Sequence, residues 1–136
     1  MNFVTNIIPL DEMPYRTIAD WRFSKDAKTC YINVADLGDE DYHNALILHE
    51  TSEIMALLRR FSPHEAVKIV DTFDKRFEKN RKDDFETDPG DDPRAPYHIE
   101  HGFATGIERT YLASAGRNWK KYEDKISAML RKYKKQ

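Results

Sequence analysis

The segment ALILHETSEIMALLRR, at positions 45–60, constrains the fold of this chain more than any other stretch. Its apolar residues repeat at helical spacing, acidic residues precede it and two arginines end it, so the charges complement a helix dipole. The pattern predicts a helix over residues 39–60. Little of such a helix is left to face water, yet its middle carries His49, Glu50 and Glu53.

The three polar residues have the spacing of a metal clamp. Residues four apart on a helix lie one turn above each other, so His49 and Glu53 can reach a single point, with Glu50 beside them. In the HExxH motif two histidines bind zinc and the glutamate acts as general base on the metal-bound water; here the motif is HExxE. A buried carboxylate is costly unless it is paired or bound to a cation. We expect a divalent ion, zinc first, with manganese or iron as alternatives because a carboxylate ligand favours harder ions.

A second segment, YHIEHGFATGIER at positions 97–109, carries the residues that could complete the site. His101 and Glu108 share one helix face. We expect His101 as the third ligand and Glu108 as a fourth ligand or as the outer partner of a histidine. His98 is the substitute if the register differs by one turn. The two glycines and the alanine of this segment are expected to let its helix approach another helix closely.

The rest of the chain predicts an α+β fold with a small N-terminal β-hairpin packed on about four helices. Residues 20–34 alternate around a polar turn, which indicates the hairpin. The letters SPHE are the signature of a capping box. Helices are predicted over residues 39–60, from Pro63 to about Asn80, from Tyr97 to Gly116, and over the basic stretch 117–136. Between the second and third helices, residues 80–96 read as a long acidic surface loop in which TDPGDDP is an acidic turn. We expect residues 1–136 to form a single domain.

Composition limits the partners and the compartment. The net charge of -2 divides into +6 over residues 117–136 and −8 over the rest, and the basic stretch lacks the dense aromatic footprint of a nucleic-acid binder. No segment approaches the roughly 18 apolar residues of a membrane span, and the first residues lack the pattern of a secretory signal. Cys30 is the only cysteine, so we expect a reducing cytoplasm and a buried thiol. The oligomeric state is left open.

Two resemblances add to this interpretation. The order of strand, acidic turn and HExxE helix resembles the minimal zincin-like metallopeptidase core, which implies a zinc-dependent hydrolase acting on a peptide or protein, with Glu50 as the general base. The segments ALILHETSEIMALL and APYHIEHGFATGIER, within residues 15–115, are similar to those of a group of phage and bacterial proteins. That group implies a phage protein in the cytoplasm of a bacterial host, and it brings no activity with it. The chain departs from zincins at Glu53, which replaces the second histidine, and His101 follows only after a further helix and loop.

Two other functions fit parts of the same sequence. All-α nucleotide pyrophosphohydrolases hold magnesium with acidic pairs on neighbouring helices, and here Glu50 and Glu53 are followed by Asp71 and Asp74. The predicted hairpin and the histidines do not belong to that pattern. Alternatively, the chain is a phage interaction protein whose His/Glu cluster is a buried hydrogen-bond network or a structural metal site. In that case exposed aromatic residues near the loop, such as Tyr97, would form the partner surface.

Overall fold

A three-stranded sheet forms the N-terminal part of the structure, a computed structural model that describes residues 1–133. The strands, β1 to β3, are Asn2–Ile8, Ala19–Phe23 and Thr29–Ala35. The central strand is β3, which pairs in parallel with β1 and antiparallel with β2, from Ala19 opposite Val34 to Phe23 opposite Cys30. The antiparallel pair is the predicted hairpin, which is therefore confirmed.

The strand β1 is an addition that the sequence patterns do not predict. Its β-branched residues Val4, Thr5, Ile7 and Ile8 favour an extended backbone. However, most of its side chains are exposed and they show no regular alternation of buried and exposed positions. Pairing with the buried strand β3 therefore decides the conformation of β1, and this pairing is a tertiary contact that has no local signature.

Four helices follow the sheet, and the α+β class is confirmed. The helices, α1 to α4, are Glu40–Leu57, Pro63–Lys79, His98–Ser114 and Trp119–Lys132. The predicted capping box opens α2, where Ser62 and Glu65 each accept a hydrogen bond from the other's backbone nitrogen. Gly116, with φ of 70°, lies in the left-handed region just after α3, as predicted. Lys134 and Lys135 of the predicted basic helix lie outside the described residues.

The helix α1 ends at Leu57, three residues before the predicted boundary. Residues 58–61 form a turn in which Arg60 donates hydrogen bonds to the carbonyl oxygen of Pro96, at 2.8 Å, and to the carboxylate of Glu100. The arginine therefore satisfies acceptors at the start of α3 instead of the last carbonyl groups of its own helix. These bonds fasten the end of α1 to the beginning of α3.

The helices α1 and α3 pack antiparallel along their length, since side-chain contacts join Asn44 to Tyr111 near one end and Glu53 to His101 near the other. Of the small residues expected to bring them together, Ala104 is buried, whereas Gly102 and Gly106 face open space. The expectation for the two glycines is therefore wrong, because they lie on the solvent side of α3. Cys30 is fully buried in the core between the sheet and α1, as expected. Within residues 1–133, no helix is both long and apolar enough to cross a membrane.

Candidate metal centre

Three buried side chains converge between α1 and α3. His49 and Glu53 project from successive turns of α1, and His101 faces them from α3. The Oε2 atom of Glu53 is 3.3 Å from His49 Nε2 and 2.8 Å from His101 Nδ1. One ligand atom from each of the three residues lies within 4.8 Å of the other two. The structure thus brings together the three residues that the sequence predicts as ligands, in a group that could hold a metal ion.

The spacing of these atoms is close to that required around one ion. Nitrogen and oxygen ligands about 2.0–2.2 Å from a tetrahedral zinc ion lie about 3.3–3.5 Å from each other. The 3.3 Å between His49 Nε2 and Glu53 Oε2 meets this requirement. The 2.8 Å between His101 Nδ1 and Glu53 Oε2 is a hydrogen-bond distance. Binding of one ion by both atoms requires them to lie roughly half an ångström farther apart. Two histidines and one glutamate are also a ligand set that leaves a fourth zinc position open.

Opposite charges stabilise the centre in the absence of an ion. Burial disfavours the ionised form of Glu53, but hydrogen bonds from His101 and His49 overcome it and lower the pKa of Glu53 to about 2. Burial likewise disfavours the charged form of His101, but hydrogen bonds to Asp91 and Glu53 raise its pKa to about 10. The pKa of His49 is raised despite burial, through hydrogen bonds to Glu108 and Glu53. Binding of a divalent cation would replace the positive charge of the protonated imidazoles and release protons.

Glu108 meets His49 on the side away from Glu53. Its Oε1 atom is 2.7 Å from His49 Nδ1, and its Oε2 atom accepts a hydrogen bond from the hydroxyl of Tyr122 on α4. All of these side chains are buried. Glu108 therefore has the position of an outer partner that orients a histidine, which is one of the two roles left open by the sequence.

A short helical turn, Pro89–Asp91, supports the imidazole of His101. His101 Nε2 is 3.2 Å from Asp91 Oδ1 and 3.7 Å from Asp88 Oδ1. The backbone of Gly90 lies against the ring, since a Cβ atom at Gly90 would be only 2.3 Å from His101 Cγ. Only glycine allows this close approach without a shift of the ring.

The sequence interpretation missed three residues of the centre: Tyr122, Asp91 and Gly90. It indicated only an acidic turn around Asp91, and nothing in that pattern relates the turn to His101. Tyr122 belongs to the last predicted helix, over residues 117–136, where it is one of several apolar residues at helical spacing. Its spacing carries no sign that its hydroxyl meets Glu108.

Glu50 lines a cleft beside the three converging residues. The cleft has a volume of about 220 Å³ and is bordered by residues of β2, α2, α3 and α4. The side chain is half-buried and takes part in none of the ion pairs that link the two histidines to Glu53 and Glu108. Burial raises its pKa to about 8, against the opposing effect of His49. Its ionised form, which predominates only above that pH, can accept a proton from a group in the cleft.

His98, the substitute ligand, lies apart from the converging residues. Its Nδ1 atom is 3.0 Å from the carbonyl oxygen of Gly90, so its ring contacts the turn before α3. The register that places His101 opposite Glu53 is therefore the one in the structure.

The acidic residues of α2 share the cleft with those of α1. Asp71 and Asp74 both line it, and the hydroxyl of Tyr97 donates a hydrogen bond to Asp74. Tyr97 is only 2% exposed, so the expectation that it contributes to an exposed partner surface is wrong. Its ring packs against Phe73 of α2, and the apolar contact explains why it lies inside.

Comparison with known proteins gives no match. No protein-family model, no curated protein and no solved structure was found to be similar to this chain. The resemblances to zincin-like peptidases and to the phage and bacterial group stay predictions.

Proposed function

We propose that this protein is a zincin-like metal-dependent hydrolase whose divalent ion is bound by His49, Glu53 and His101. The observation that supports the proposal is the convergence of one buried ligand atom from each of these residues beside a cleft. Zinc is the first expectation because two imidazoles and a carboxylate suit it, with manganese or iron as alternatives. A peptide or protein is the substrate class implied by the zincin resemblance.

The residues of the chain divide the work of hydrolysis. A divalent ion held by His49, Glu53 and His101 would supply Lewis-acid chemistry, activating a water molecule and polarising a carbonyl group of the substrate. Glu50 follows His49 in the chain and lines the cleft, so its ionised carboxylate would take a proton from an attacking water and deliver it to the leaving group. Glu108 and Asp91 hold the outer nitrogens of the two histidines, which keeps the rings in one orientation.

A second candidate is a non-enzymatic phage protein in which the same cluster is a structural network. Within residues 1–133, every buried side-chain nitrogen and oxygen has a hydrogen-bond partner, so the cluster is satisfied by its own residues. Such networks can define a unique packing. The nucleotide pyrophosphohydrolase alternative has less support. Asp71 and Asp74 do share the cleft with Glu50 and Glu53, which fits it. However, that class of enzymes is all-α, and this protein has a three-stranded sheet.

Metal analysis separates the first two candidates. Protein purified without a His-tag should contain near-stoichiometric zinc, manganese or iron, and the His49→Ala, His101→Ala double variant should lose it. His64→Ala, an exposed histidine at the start of α2, is the matched control and should keep the metal. A metal-free protein whose stability is unchanged by chelator would contradict metal binding and favour the structural network.

The role of Glu50 needs a separate experiment. Glu50→Gln should keep the metal and abolish hydrolysis in a panel of peptide and protein substrates, whereas Glu40→Gln, at an exposed position on the same helix, should hydrolyse normally. Full activity of Glu50→Gln would exclude it as the base. If Asp74→Asn instead abolishes magnesium-dependent nucleotide hydrolysis, the pyrophosphohydrolase alternative is favoured.

A further inference from the structure

Each imidazole of the centre has a second carboxylate behind it. Hydroxyl, carboxylate and imidazole groups follow one another across the interior in the order Tyr122, Glu108, His49, Glu53, His101 and Asp91. From Glu108 onward, the successive contacts measure 2.7, 3.3, 2.8 and 3.2 Å. Only the middle member, Glu53, is shared by both imidazoles, so an ion binding there meets one nitrogen of each ring while the other nitrogen stays occupied.

We infer that Tyr122 and Asp91 are positioning residues of the metal centre, which present Nε2 of His49 and Nδ1 of His101 to the ion. This inference rests on the proposed metal binding. An imidazole that binds a metal through one nitrogen donates the N–H of the other to a partner, and that partner determines the tautomer and the ring orientation. Asp91 is such a partner directly, and Tyr122 acts through Glu108.

Tyr122 is held rigidly by the core. It is 1% exposed and packs edge-to-face on Tyr42 of α1, with ring centroids 5.0 Å apart. Its hydroxyl binds Oε2 of Glu108, which leaves Oε1 to accept from His49 Nδ1. The inner nitrogen of His49 is then Nε2, which lies 3.3 Å from Glu53. Through this chain of contacts α4 orients a ligand although none of the three predicted ligands belongs to it.

Asp91 acts from the opposite direction. The turn that carries it presses the backbone of Gly90 against the His101 ring, so the ring is held between the turn and Glu53. Asp91 faces Nε2 at 3.2 Å, and Nδ1 is left to face inward. The two histidines therefore bind the ion through different nitrogens, a prediction that depends on the outer partners and is independent of any activity.

Long-range ¹H–¹⁵N NMR spectra of the zinc-loaded protein test the assignment directly, because they distinguish metal-bound Nδ1 from metal-bound Nε2. We expect Nε2 for His49 and Nδ1 for His101. The opposite nitrogen at either residue overturns the inference for that residue. If the wild-type protein binds no zinc, then the proposed function fails, and that result is distinct from a reversed assignment in a protein that binds.

Zinc affinity, measured by competition with a chromophoric chelator, tests the two positioning residues. Tyr122→Phe and Asp91→Asn should each weaken zinc binding about 10- to 100-fold. The matched controls should bind as the wild type does. They are Tyr133→Phe and Asp92→Asn. In the wild type, the buried hydroxyl of Tyr133 donates to the carbonyl oxygen of Met13, and the carboxylate of Asp92 pairs with Arg94.

Folding of each variant is followed by its thermal midpoint in chelator. If Tyr122→Phe does not fold, Glu108→Gln replaces it, since it keeps the size of the side chain and removes the carboxylate behind His49. Wild-type zinc affinity both in a folded Tyr122→Phe or Glu108→Gln variant and in Asp91→Asn would overturn the inference. A loss of affinity together with the expected nitrogen assignment would support it.

Discussion

His49 and His101 belong to the same pair of helices, but their outer partners come from different kinds of structure. On the helix side, His49 is backed by Glu108 and Tyr122, which lie on α3 and α4 and are both buried. On the turn side, His101 is backed by Asp91, whose side chain is 58% exposed on a short turn. Core packing determines the first arrangement, and local chain geometry determines the second.

This contrast indicates which half of the centre tolerates change. A buried charged partner leaves an unpaired polar group away from water when it is removed, and that is costly. An exposed carboxylate is replaced by water at little cost. We therefore expect the loss of a helix-side partner to destabilise the metal-free protein more than the loss of the turn-side carboxylate. Each of the following predictions tests this contrast.

The largest expected effect is on the helix side. In the metal-free protein, Glu108→Ala should lower the free energy of unfolding by about 3 kcal/mol, because His49 and Tyr122 lose a buried partner. Asp91→Ala, the equivalent deletion on the turn side, should cost less than about 1 kcal/mol. Urea unfolding in chelator measures both values. Equal losses would remove the distinction between the two sides.

A smaller effect is expected from filling the space between the turn and its imidazole. Gly90→Ala should destabilise the protein by about 1–3 kcal/mol, because the new Cβ atom would lie 2.3 Å from His101 Cγ. Gly102→Ala is the matched control, because Gly102 lies on the exposed face of α3 and no atom lies within 4 Å of an added Cβ. This substitution should stabilise the protein by about 0.5–1 kcal/mol. Unfolding in urea gives both changes. A neutral Gly90→Ala would show that the turn does not hold the ring.

The smallest expected effect is a pH dependence of the free energy of unfolding that arises from Asp74, which lines the cleft. Burial raises the pKa of Asp74 to about 7, against its hydrogen bond with Tyr97, and the charges of Asp88 and Glu53 add to the rise. Between about pH 4 and pH 7 the folded protein keeps this proton and the unfolded chain does not, so the contribution of Asp74 to stability falls as pH rises.

Asp74→Asn should remove this part of the pH dependence. As the pH rises from 4.5 to 8, the free energy of unfolding of the variant should increase relative to that of the wild type by on the order of 1 kcal/mol. This value allows for the partial exposure of the side chain. Urea unfolding at the two pH values, with chelator present, measures the difference. Parallel pH profiles of the two proteins would contradict a raised pKa at Asp74.

The elements that the sequence predicts well have local causes. The capping box at Ser62 and Glu65, the acidic first turn of α1 and the glycine after α3 act within one or two turns of chain. The strand β1 escaped prediction because its partner, β3, lies beyond the whole of β2 in the sequence. The solvent-facing positions of Gly102 and Gly106 were likewise invisible, since small size alone does not say which face of a helix is covered.

The centre divides in the same way. The sequence by itself determined that His49 and Glu53 share one helix face, and that His101 and Glu108 share another, because the period of the α-helix relates residues three, four and seven apart. Only the tertiary structure decided that these faces meet, that Glu108 supports His49, and that Tyr122 and Asp91 complete the arrangement. The physical reason is that these contacts depend on how α3, α4 and a short turn pack around α1, and no local rule relates residues so far apart in the chain.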